Sequence, residues 1–205
     1  MKLIFRWYGD NDSIPLDYIR QIPNMTGVCT ACYDFKPGEV WEEKSLLHLK
    51  EELNSHGLEM EVIESIPVSE NIKLRNEKCE QDIEVFKQNL RLCANAGVKV
   101  VCYNFMPVFD WLRTDMHHKN PDGSNSLAYS ADDFAKIDPK HLHLPGWDES
   151  YSEDELQQLM SIYQKISKDQ LFANLVHFLE EVIPVCEECD IKMAIHPDDP
   201  PWDIF

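Results

Sequence analysis

Four times along the chain an amphipathic helical pattern hands over to a short apolar run of strand type, and this alternation limits the fold more than any other feature. Trp41 to His56 shows the pattern well: Glu42 and Glu43 sit at the positive end, Leu46, Leu49 and Leu53 form a stripe, and Gly57 stops the helix before the strand Leu58 to Ile63. Glu77 to Ala96 repeats it with Ile83, Phe86, Leu90 and Cys93, then Gly97 and the strand Val98 to Tyr103. That strand is almost continuously apolar, as a strand covered on both faces must be. A short helix that Ser13 can cap, with Pro15 in its first turn, precedes a strand at Gly27 to Tyr33, and a helix near Gln170 to Cys189, kinked at Pro184, precedes Ile191 to Ile195. With Lys2 to Trp7, these make five strands, predicted to lie parallel and adjacent in chain order with right-handed helical crossovers.

A doubly wound sheet and a barrel both satisfy this order. No glycine-rich dinucleotide loop follows any strand, which favours the barrel. The expected class is therefore α/β, a (β/α)8 TIM barrel of which about the first five β/α units are present; residues 1–205 then form a single domain that looks truncated. Its fifth strand would be an open edge, and a chain ending at Phe205 is expected to be poorly soluble. Between the fourth and fifth strands, residues 105–150 read as a long irregular insertion rich in Pro, Asp, His and aromatic residues, a length usually kept for function. A helix from Ser152 to Ile166 follows, opened by the capping box Ser152 to Glu155.

Charge narrows the partners. Thirty-seven acidic against 19 basic residues give a net charge of −18, which repels phosphate backbones and anionic membranes, so no nucleic acid and no membrane partner is expected. No apolar run approaches the ~20 residues of a membrane span, and the N-terminus lacks a signal-peptide core, so the expected location is cytoplasmic. Seven cysteines, an odd number, fit reduced thiols. Cys29 with Cys32 and Cys186 with Cys189 have zinc-knuckle spacing, but one pair lies in a strand-like run and the other on a helix face, so core thiols are the reading.

Parallel strands put their C-terminal ends on one face, where α/β chemistry gathers. That face would hold Arg6, Trp7, Glu64, Asn104 and His196, and the insertion adds Asp110, Trp111, Arg113, His117 and His118. Cations, imidazoles and amides together suit a small polyhydroxylated anion whose carboxylate an arginine clamps. Each residue also has a plain explanation: Arg6 pairing an acid, Trp111 as loop core, His117 and His118 as a solvated pair. His196 ends its strand because Pro197 holds it extended, and there it is either a capping histidine or a metal ligand.

The runs Phe5 to Gly9, Val62 to Val68, Val101 to Trp111, Arg113 to His118, Leu144 to Trp147 and Ala194 to Pro201 resemble the mannonate dehydratase family, in order and from end to end. The resemblance implies a TIM barrel of the xylose-isomerase-like superfamily and a lyase that dehydrates D-mannonate to 2-keto-3-deoxy-D-gluconate in hexuronate (glucuronate) breakdown. It also implies Mn2+ or Fe2+ as cofactor, and such barrels imply a homo-oligomer. His196 matches the family's metal-ligand histidine; the other ligands and the main acid and base would come from later strands, so the segment alone should be inactive. Arg6, Trp7, Asn104, Arg113, His117 and His118 are the expected substrate contacts. Two other readings stay open: a related metal-dependent sugar isomerase or epimerase, and a non-catalytic truncated module.

Overall fold

The apolar runs become strands and the striped segments become helices in the computed structural model, which describes residues 1–108, 113–136 and 152–199. The elements are β1 (Leu3–Arg6), α1 (Leu16–Arg20), β2 (Met25–Thr30), α2 (Glu43–Ser55), β3 (Glu59–Glu64), α3 (Glu70–Leu74), α4 (Cys79–Asn95) and β4 (Val100–Tyr103). Then come β5 (Asp115–Lys119), β6 (Asn125–Ala128), α5 (Ala131–Phe134), α6 (Glu153–Tyr163), α7 (Lys168–Glu188) and β7 (Lys192–Ile195). The chain divides into two compact units. The first holds Met1–Asn104 and Leu171–His196; the second holds the described residues of Phe105–Gln170 and Pro197–Phe205.

The first unit is a five-stranded sheet in the order β1-β2-β3-β4-β7, every neighbouring pair parallel, as the alternation predicted. Three of its helices feed strands through one device. Leu58, Val98 and Ile191 donate their backbone N–H back to Leu53, Cys93 and Cys186, each at 3.0 Å, closing the helix end while the residue before turns left-handed. Gly57 and Gly97 supply that turn at φ +69° and +90°; Asp190 takes it at φ +52°, one of the few side chains that tolerate the conformation. Core packing follows the stripes: Phe86 of α4 and Phe178 of α7 meet edge to face at 5.0 Å, and Phe178 lies 5.8 Å from the Tyr103 ring of β4. Burying such a ring contributes roughly 1.5–3 kcal/mol. Asn174 ties α7 to α3 by donating to the Lys73 carbonyl at 2.8 Å.

Several expectations are corrected. Pro15, not Ser13, occupies the N-cap of α1, and no side chain caps it. The helix α3, capped by Ser69, was not anticipated. Residues 105–150 are not irregular throughout, because β5 and β6 form an antiparallel hairpin, closed by Gly123 N–H to Asn120 C=O at 3.0 Å and by the Asp122 carboxylate accepting from Ser124. Asn120-Pro-Asp-Gly123 is a turn sequence: Pro pre-sets φ, and Gly takes φ +85°. The capping box at Ser152 and Glu155 is present as expected. No helix among the described residues is long and apolar enough to cross a membrane.

Candidate functional site

Within the first unit the strand exits collect a polar cluster. Arg6 is the last residue of β1, and its Nη1 donates to Tyr33 Oη at 2.9 Å and to the carbonyls of Cys29 and Trp7 at 3.3 and 3.4 Å. Its guanidinium lies 4.5 Å from the centre of the Tyr8 ring, a cation–π distance, and its Nε is 3.7 Å from Glu64 Oε2. Glu64 ends β3 and accepts from Cys29 Sγ of β2 at 3.1 Å. Burial pulls the Arg6 pKa down, but Tyr33, Cys29 and Glu64 outweigh it and hold it above its ordinary value. Burial pushes the Cys29 thiol well above its ordinary value, and the bond to Glu64 adds to that. The guanidinium is thus a fixed cation with five partners, its side chain 29 % exposed.

The other first-unit candidates sit where parallel strands put them. Asn104 directly follows β4 and is half-buried; His196 directly follows β7, half-buried, with its backbone N–H donating to Tyr103 C=O at 2.7 Å. That bond extends the β4–β7 ladder by one residue and fixes the backbone that carries the imidazole. Trp7 is different: one residue beyond Arg6, it points the other way and is only 4 % exposed, so its indole is core.

Three candidates belong to the second unit. Arg113 Nη2 donates to Asp199 Oδ2 at 2.7 Å, and the Asp199 backbone N–H reaches Met106 Sδ at 3.3 Å. His117 and His118 stand exposed on β5, His118 Nδ1 lying 3.7 Å from Asp115 Oδ2. Asp110, Trp111, the run Leu144 to Trp147, Pro200 and Pro201 lie outside the described residues.

Tyr33 and Cys29 were missed as site residues. Only the register of β1 on β2 and of β2 on β3 brings them to Arg6 and Glu64, and the chain pattern does not print a register. All seven cysteines are free thiols.

With this geometry in view, the comparisons are specific. The family model described as D-mannonate dehydratase (UxuA) matches residues 1–205. Mannonate dehydratase of Thermotoga petrophila is 49 % identical over all of this chain and 60 % of its own length, and that of Streptococcus pneumoniae is 50 % identical over all of this chain and 57 % of its own. The crystal structure of mannonate dehydratase from Streptococcus suis serotype 2 aligns with a TM-score of 0.90 at 46 % identity, covering 100 % of this chain and 56 % of that one. The chain therefore spans well under two thirds of the length of these relatives. A family match over every residue establishes that the chain belongs to the D-mannonate dehydratase family.

Proposed function

We propose that the protein carrying this chain is a metal-dependent hydro-lyase that removes water from D-mannonate to give 2-keto-3-deoxy-D-gluconate, in hexuronate breakdown in the cytoplasm. The observation that carries the reading is the family match along the whole chain together with the polar cluster at its parallel strand exits. The five strands are then the first five of a closed (β/α)8 barrel, a reading supported by the 0.90 TM-score to a longer mannonate dehydratase. A homo-oligomer belongs to the same proposal.

The residues of this chain suit such a substrate. Arg6, oriented by Tyr33 and Glu64, offers a rigid cation for the carboxylate of a sugar acid. Asn104 presents both a donor and an acceptor to hydroxyls. Trp7 contributes through the core, where its indole is buried, and through its carbonyl, which accepts from Arg6. His117 and His118 are open imidazoles able to hydrogen-bond hydroxyls or carry a proton, and Arg113 is a second cation, already shared with Asp199.

His196 fits a metal role: its backbone is pinned at a rigid strand end, the residue is partly open, and imidazole is the commonest side-chain metal ligand and suits Fe2+ in particular. Such an ion would supply Lewis-acid stabilisation of the negative charge that develops when the C2 proton leaves.

The test is full-length protein with Mn2+ or Fe2+ and D-mannonate. A product lighter by one water and carrying a new ketone is expected. A product of unchanged mass would instead indicate an isomerase or epimerase. His196→Gln is expected to lose metal and turnover while keeping a native-like melt; full occupancy and activity in that variant would overturn the assignment.

A further inference from the structure

Away from the strand exits, a second cluster of ligand-type side chains joins two helices of the first unit. Cys79 opens α4, Glu80 follows it, and His177 lies on α7, almost a hundred residues further along the chain. One ligand atom from each (the Cys79 Sγ, a Glu80 carboxylate oxygen and a His177 ring nitrogen) lies within 4.8 Å of the other two. His177 Nε2 and Glu80 Oε1 are 2.9 Å apart. Cys79 is 1 % exposed, whereas the Glu80 side chain is open to solvent at 68 % and His177 partly so.

An ion pair between a glutamate and a histidine needs no thiol beside it. Here the thiol is buried, has no hydrogen-bond partner among the described residues, and faces both polar groups. The neighbourhood suits a cation: Glu181, one turn along α7, lies close enough to act on His177, and Asp82 acts on Cys79, with Arg75 as the opposing charge. We propose that Cys79, Glu80 and His177 form a divalent-metal site of zinc type that braces α4 against α7, with the fourth position left to water.

The donor set decides the class of ion. Thiolate, imidazole and one carboxylate make the mixed S, N, O set that zinc accepts in tetrahedral sites, and the sulfur disfavours Mg2+, Ca2+ and Mn2+. Ligation at about 2.0–2.3 Å puts ligand atoms about 3.3–3.8 Å apart, so the sulfur must close on the other two by up to roughly 1 Å while the 2.9 Å His177–Glu80 pair opens slightly, an adjustment the exposed Glu80 side chain can supply. The protons balance. The Cys79 S–H bond breaks and its proton goes to solvent as the sulfur–metal bond forms; the Nε2 proton that His177 shares with Glu80 passes through solvent to Nδ1, which frees the Nε2 lone pair, and the hydrogen bond gives way to two bonds to the ion.

The experiment uses full-length protein stripped with a chelator, then titrated with Zn2+, and separately with Co2+ as a coloured probe. Signal is read as the difference between parent and Cys79→Ser, so any thiolate ligand elsewhere cancels. Parent protein is expected to bind one more zinc per chain than Cys79→Ser or His177→Gln. Loss of an outer partner of a metal site lowers affinity roughly 10–100-fold, and loss of a direct ligand here should exceed that. The thiolate–cobalt charge-transfer band should vanish in Cys79→Ser, zinc should raise the melting temperature of the parent alone, and dehydration by the Mn2+- or Fe2+-loaded enzyme should be unchanged in both variants. Should the variant of the buried Cys79 misfold, His177→Gln is scored alone, and Glu80→Gln is expected to give a smaller loss. Equal zinc stoichiometry and affinity in parent and His177→Gln overturns the proposal, whether or not mannonate is the substrate.

Discussion

The parallel sheet of the first unit and the β5–β6 hairpin of the second are held by different forces. Val101 and Ile63 in the central strands of the sheet are fully buried among apolar side chains, whereas the edge strands β1 and β7 hold no fully buried residue. In the hairpin, four of the five residues of β5 are exposed or charged, and Leu127 of β6 is 48 % exposed; what fixes it is the ladder itself and the Asn120-Pro-Asp-Gly turn. Solvent exclusion specifies the first, and backbone geometry at one corner specifies the second. Chemistry is divided in the same way, with a fixed, partnered arginine on the sheet and open imidazoles on the hairpin.

The widest separation between the two regions should appear in alkali. Every cysteine lies in the first unit. Burial pushes Cys186 up to about 11 and Cys32 up to about 12, and Cys29 and Cys93 higher still, each from an ordinary value of 9.0. A raised thiol pKa favours the folded state fully below pH 9.0, where both states keep the proton, and that contribution fades as pH climbs through the folded values. Denaturant midpoints of the first unit should therefore fall steadily from about pH 9 to 12, while hydrogen exchange in the hairpin tracks only the intrinsic rate. A flat midpoint over that window contradicts buried, protonated thiols.

Matched truncations come next in size. Phe86→Ala empties a site enclosed by Phe178 and should cost about 3–5 kcal/mol in urea titrations, whereas Leu127→Ala on the half-exposed hairpin face should cost under about 1 kcal/mol. Similar losses for the two would mean that the hairpin has a core of its own.

A glycine pair isolates backbone from packing. A Cβ at Gly27 would run into the Glu59 carbonyl oxygen and force β2 from β3, so Gly27→Ala should cost about 3 kcal/mol or more. At Gly123 nothing lies within 4 Å, and only the left-handed φ of +85° is penalised, at about 1–2 kcal/mol for Gly123→Ala. If circular-dichroism melts rank the two the other way, close strand approach is not what limits this sheet.

The smallest effect on stability is expected at the exposed pair. His117→Ala and His118→Ala should each move stability by no more than about 0.5 kcal/mol. In full-length enzyme the same variants should raise KM for the sugar acid if the imidazoles touch it, and an unchanged KM removes them from the substrate site.

Much of the sheet could be read from the chain, since apolar period, helix-stopping glycines and strand-like runs all act locally. Strand order and direction followed from alternation, and only the ends moved, by up to three residues. The hairpin escaped because neither arm alternates apolar and polar residues, although Asn120-Pro-Asp-Gly123 carried a turn signal that stood alone. Positions such as Arg6, Asn104 and His196 were legible because a strand exit is a place in the sequence. The contacts of Arg6 with Tyr33 and Glu64 were not, because they depend on how three strands register. Trp7 shows the same limit in reverse: its neighbour faces solvent, and the strand period turns its own ring inward.

The pairing of β4 with β7 has an evolutionary consequence. Paired Val62 and Val100 of β3 and β4 are about 40 residues apart, and paired Val100 and Lys192 about 90, yet loop-closure entropy grows only with the logarithm of length, so the longer connection costs about 0.7 kcal/mol more. That is less than one buried methylene contributes. The connection between the fourth and fifth strands is therefore a place where segments can lengthen, shorten or be exchanged over generations with almost no penalty to the sheet, so new recognition surfaces can be tried while the scaffold is left alone.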